Sequence, residues 1–129
     1  MNVSLVQEVC RQALEAKITF PQIVGKLTAE GVESYHVDLV RHENRFYMPN
    51  GKTHVESVKH PAGIAAEKFS TEGVQSAIRA SQRGEITYQE FIPRVLAAGC
   101  VLYVVYLTGK KVIYFGRDGA SHTENFPQP

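Results

Sequence analysis

Neither sign of charge dominates this sequence. Fourteen Lys and Arg against thirteen Asp and Glu leave a formal charge of +1, which argues against a dedicated polyanion binder. Hydrophobic runs are short as well. The longest, Cys100–Leu107, falls far below the roughly 20 residues of a membrane-spanning helix. No basic start followed by an apolar run and a small-residue cleavage site is present, so no signal peptide is read and a cytoplasmic protein is expected. The two cysteines, Cys10 and Cys100, both stand in apolar surroundings. They are predicted as buried free thiols rather than a disulfide or a catalytic pair. Gly51, Gly63 and Gly119 show neither phosphate-loop nor dinucleotide-binding spacing, no serine lies in a nucleophile elbow, and no cysteine stands beside a histidine. No cofactor is therefore expected.

What the sequence does have is a repeat. Ile18–Gly51, shifted by 68 positions, lies without a gap on Ile86–Gly119, and identical residues recur at Thr19/Thr87, Ala29/Ala97, Gly31/Gly99, Tyr35/Tyr103, Val37/Val105 and Leu39/Leu107. Beyond the glycine, His54 and Glu56 fall on His122 and Glu124. One supersecondary unit has been used twice.

Apolar residues at Val3, Val6, Val9, Cys10, Ala13 and Leu14 have the spacing of an amphipathic helix, with Asn2 able to cap it. Thr19 and Gln22 form a capping box for a second helix, with Pro21 early enough to lose no internal hydrogen bond, and Gly31 stops it. The period then changes to two. Tyr35, Val37 and Leu39 share one strand face, and His36, Asp38 and Val40 the other. A turn is expected within 42–45, most simply on Glu43-Asn44, then a strand over 45–48, an Asn50-Gly51 turn and a third strand over 52–58. The second unit repeats this order from Ser70 or Thr71. Pro93 lies deep enough in its second helix to predict a bend or a late start, and the last residues are expected to fray.

The fold class read from this pattern is α+β: a duplicated helix–helix–three-strand unit, with antiparallel sheet packed against four helices. At 129 residues one domain is expected, made of two similar halves, roughly 1–60 and 68–126. Whether the halves share one sheet is open. The strand at Cys100–Leu107 is apolar on both faces and should be central or covered, whereas that at 32–41 should be more exposed.

The richest polar cluster is His36 and Asp38 on one strand with His54 and Glu56 on another. Residues i and i+2 share a face, so each pair could present two metal ligands or an acid–base couple. The second-copy equivalents are His122 and Glu124. The weightier reading makes these pairs the cross-strand furniture of a solvated sheet, because a metal needs at least three converging donors and short His–acid pairs are common. Basic residues near the hairpin ends, such as Arg41, Arg45, Lys52 and Lys110, are diluted by Glu43, Glu56 and Asp118, so nucleic acid is not an expected partner.

Tyr35-His36-Val37-Asp38, followed by Arg45-Phe46-Tyr47 and the turn at Gly51, resembles a small bacterial family of uncharacterised proteins, domain-of-unknown-function family 1398, often labelled "phage envelope protein". The resemblance covers nearly the whole chain. It implies a compact cytoplasmic domain and carries no activity, substrate, cofactor or catalytic residue. The functional expectation is a module that binds a protein or a small ligand. The alternative is a small metal-dependent or acid–base hydrolase using His36, Asp38, His54 and Glu56. A homodimer joined through the polar sheet faces is also expected, with no membrane partner.

Overall fold

A computed structural model describes residues 1–61 and 63–127; of the last residues, which are expected to fray, Gln128 and Pro129 lie outside them. Each half supplies two helices and a three-stranded meander: α1 (Val3–Leu14), α2 (Phe20–Ala29), β1 (Ser34–Asp38), β2 (Glu43–Tyr47) and β3 (Thr53–Ser57), then α3 (Thr71–Gln82), α4 (Tyr88–Ala97), β4 (Cys100–Tyr106), β5 (Lys111–Gly116) and β6 (Ser121–Asn125). The architecture is α+β, four helices on one antiparallel sheet.

The helix starts follow local chemistry. Asn2 accepts from the Leu5 amide at 3.1 Å and Ser70 from the Gly73 amide at 3.0 Å. The two capping boxes are both formed. Thr19 and Gln22 exchange bonds of 2.8 and 3.4 Å, and Thr87 and Glu90 bonds of 3.0 and 3.4 Å, which satisfies amides that a helix start otherwise leaves unpaired. Because Thr87 caps so well, α4 begins at Tyr88 with Pro93 inside it; the late start does not occur. Gly25 stands at the position equivalent to Pro93, in the exposed interior of α2, and a Cβ there would meet nothing within 4 Å. Gly25→Ala is therefore expected to raise the unfolding free energy by about 1 kcal/mol, read as a higher urea midpoint at unchanged slope.

The six strands form one sheet in the order β3-β2-β1-β4-β5-β6. The two halves join through antiparallel pairing of β1 with β4, in a register that sets His36 opposite Val104. Those two residues are 68 positions apart, so each is the other's counterpart in the repeat. A residue meeting its own equivalent marks a two-fold axis, and here it passes through the centre of the sheet. Both first strands are consequently central. β1 is nonetheless the more exposed of the two, since His36 is half-buried where its counterpart Val104 is buried; its polar face is the side of the sheet without helices.

The expected turn on Glu43-Asn44 lies earlier in the chain. Asp38 Oδ1 accepts from the amides of Val40 and Arg41 at 3.0 and 2.9 Å, closing an Asx turn that brings the chain round at residues 39–42, with His42 at φ 55°. Glu43 and Asn44 thus belong to β2.

All four helices cover the face that carries Tyr35, Val37, Phe46, Tyr103, Val105, Val112 and Tyr114, and these residues merge with Val6, Leu27, Val74, Ile92 and Val95 in a single core. Alternation decides this: shifting any strand by one residue would exchange its buried and open sides.

Candidate functional site

The same alternation separates the polar cluster. His36 lies opposite Arg45, and Arg45 opposite Val55, so His36 and Asp38 stand on the open face. His54 lies opposite Phe46, and Glu56 opposite Asn44, which places that pair on the helix side. The four residues do not converge. Among the described residues, no three His, Cys, Asp or Glu are grouped so as to hold a metal ion.

Each pair has a local partner instead. Asp38 shapes the β1–β2 turn and also accepts from Arg45 Nη1 at 3.4 Å. Burial pushes its carboxyl up, but the Arg41 and Val40 amides and the Arg45 guanidinium outweigh it and leave the pKa below the ordinary value. His36 packs on Tyr47 with ring centres 4.7 Å apart, and burial together with Arg45 lowers its pKa. His54 Nε2 is 2.8 Å from Glu56 Oε1, and His122 Nε2 is 3.2 Å from Glu124 Oε1. Glu124 in addition accepts from Arg79 of α3 at 2.6 Å. These are ties along and onto the two edge strands.

A different set of residues surrounds an internal space. Between the helices and the sheet lies a cavity of about 560 Å³, within the range of roughly 300–1,000 Å³ usual for small-molecule sites. Its floor is Tyr35, Phe46, Tyr103 and Tyr114, and its roof includes Ile23, Ile78, Tyr88 and Phe91. It reaches the surface where exposed Pro21, Gln82 and Gly84 line it, beside Phe20 and Phe126, which meet edge to face at 5.8 Å.

The cavity sits on the seam for a reason visible in the register. Tyr35 faces Val105 and Tyr103 faces Val37, so the axis brings the two repeated tyrosines side by side on the floor. Aromatic faces continue outward: Tyr35 stacks on Phe46 at 5.5 Å, and Tyr103 lies 5.4 Å from Tyr114.

The tyrosines differ in what their hydroxyls do. Those of Tyr88 and Tyr103 bond each other at 3.2 Å. Among the described residues, the polar side-chain atoms both sealed and unpaired are Gln12 Oε1 and His60 Nδ1. Among the described residues the Tyr35 and Tyr114 hydroxyls find no hydrogen-bond partner and are not among those sealed atoms, although each residue is only 6% exposed. Both residues line the cavity. Desolvation drives the Tyr35, Tyr103 and Tyr114 pKa values well up and that of Tyr88 to about 12. All four stay neutral hydroxyls at pH 7.

Asn44 also lines the cavity and leads to a buried polar chain. It donates to Cys10 Sγ at 3.7 Å, and its Oδ1 is 3.2 Å from His60 Nε2. Cys, His and Asn occur together here, but the asparagine stands between the other two. Burial raises the Cys10 thiol to about 11 and lowers His60 to about 4, so neither thiolate nor imidazolium forms near neutrality. Cys100, also free and buried, is likewise raised to about 11.

The family model for a "protein of unknown function" family, DUF1398, matches residues 7–125. This chain belongs to the DUF1398 family. Among curated proteins none matches it. The matched stretch of this DUF1398 protein takes in both halves, and so includes both walls of the cavity.

No pairing of His with Asp or Glu announced this site. The available signal was the repeated tyrosine at a core position, Tyr35 and Tyr103. A buried phenol brings a hydroxyl that requires a partner, and Phe46, Tyr88, Phe91 and Tyr114 line the same space.

Proposed function

We propose that this DUF1398 protein is a small-molecule-binding module whose ligand occupies the cavity on the seam between its halves. One observation carries the reading: an aromatic-walled space of about 560 Å³ lined by Tyr35 and Tyr114, whose hydroxyls have no partner among the described residues. The mouth at Pro21, Gln82 and Gly84 leaves this volume open to solvent. Water or a ligand therefore fills it, and its aromatic walls favour a ligand. The enzyme alternative finds no comparable support, because the donors it needs stand on opposite faces of the sheet.

Thermal unfolding tests the reading with a bicyclic aromatic probe, 2-naphthol. At one hundred times its Kd a ligand bound only to the native state adds about 2.7 kcal/mol, which for a domain of this size raises Tm by roughly 10 °C. Ala13→Phe, which sets a ring into the cavity from α1, is expected to remove the shift. An unchanged Tm at saturation, or a shift that survives Ala13→Phe, contradicts the proposal.

A further inference from the structure

The lining of the cavity is selective in charge. Among the described residues around it, one is formally charged, Glu124, and its carboxylate is already committed to Arg79 at 2.6 Å and His122 at 3.2 Å. Among the described residues no lysine, arginine or histidine side chain lines the space. An anion entering it would give up its hydration with no cation in reach, and Glu124 would repel it. A cation would find its one candidate counter-charge taken. Burying either without a partner is costly.

On the floor the Asn44 carboxamide is engaged with Cys10 and His60, which leaves two hydroxyls without a partner among the described residues. Tyr35 and Tyr114 offer hydroxyls, and a phenol with no protein acceptor is free to donate to a ligand. Ring faces and aliphatic side chains make up most of the remaining surface, with Thr19, Ser81, Gln82 and Thr87 among the polar residues of the lining, and they suit a flat apolar body. Resting on the cavity reading above, we infer that the ligand is an uncharged, aromatic or similarly flat molecule carrying a hydrogen-bond acceptor that meets the Tyr35 and Tyr114 hydroxyls.

Calorimetric titration of the unmodified chain with four probes of one shape tests this: naphthalene, 2-naphthol, 2-naphthoate and 2-naphthylmethylammonium. The expected order places 2-naphthol at least tenfold tighter than either charged probe and tighter than naphthalene. In Tyr35→Phe and Tyr114→Phe the 2-naphthol affinity should fall about tenfold, the size of one or two lost hydrogen bonds, while naphthalene affinity stays within twofold. A charged probe binding as tightly as 2-naphthol overturns the assignment of ligand class and leaves the cavity reading standing. Binding of none of the four overturns both. If the phenylalanine variants lose structure by circular dichroism, the probe order on the unmodified chain still decides the class.

Discussion

Gly99→Ala is expected to lower the unfolding free energy by more than about 3 kcal/mol, whereas Gly31→Ala, its exact counterpart in the repeat, should cost about 1–2 kcal/mol. Both glycines follow a helix end at positive φ, 91° and 88°, where any side chain is disfavoured. Their surroundings differ. A Cβ at Gly99 would stand 2.5 Å from the Lys68 carbonyl oxygen and 2.8 Å from Phe69 Cα. Those are backbone atoms, held in place by bonds from the Ser70 amide to the Ala98 carbonyl at 2.7 Å and from the Ala66 amide to the Leu96 carbonyl at 3.0 Å. At Gly31 the nearest atom is the Met48 methyl at 3.6 Å, ordinary packing distance. Urea unfolding of the two variants side by side separates strain from crowding. Equal losses would show that residues 68–69 do not press on the end of α4.

The second large effect is acid sensitivity from His60. The residue is 3% exposed, its Nδ1 is sealed without a partner, and burial, with His42 at 5.6 Å, holds its pKa at about 4 while Asp38 opposes weakly. The unfolded chain takes up the proton near 6.5 and the native chain only near 4. Stability from this group is therefore complete above about pH 6.5 and is lost as pH falls toward 4, at about 1.4 kcal/mol per unit and roughly 3 kcal/mol in all. In His60→Gln that slope should flatten by about one proton's worth between pH 6.5 and 4, measured as the pH dependence of the urea midpoint. An unaltered slope would mean that His60 protonates without unfolding its surroundings.

The secondary structure was largely legible because local chemistry decides it. Thr19 with Gln22, and Thr87 with Glu90, announce helix starts, and the alternation Tyr35-His36-Val37-Asp38 announces a strand with one buried side. The misplaced turn has a local cause too. Asp38 reads as a strand residue or a candidate ligand, and only in three dimensions does its carboxylate prove to cap the turn at 39–42. The joining of β1 to β4 was not legible, since both strands carry the same core pattern and the pairing of two halves is a tertiary event. The cavity was hidden for a deeper reason. Sequence names the side chains that fill a core and is silent on the volume they leave empty. The chemistry of His36, Asp38, His54 and Glu56 is explicit in the sequence, yet β-sheet periodicity sends the two pairs to opposite sides. Tyr35 and Tyr103 belong to the core by the same alternation, and the repeat that places them there also sets them together on the cavity floor.

The central claim, that the seam cavity is the ligand site, is tested most directly by intermolecular nuclear Overhauser effects between 2-naphthol and the protein. The account predicts contacts from the probe's ring protons to the rings of Tyr35, Tyr103 and Tyr114 and to Ile23 of α2. Contacts confined to the open face of the sheet, at His36, Val104 and Ile113, would contradict it.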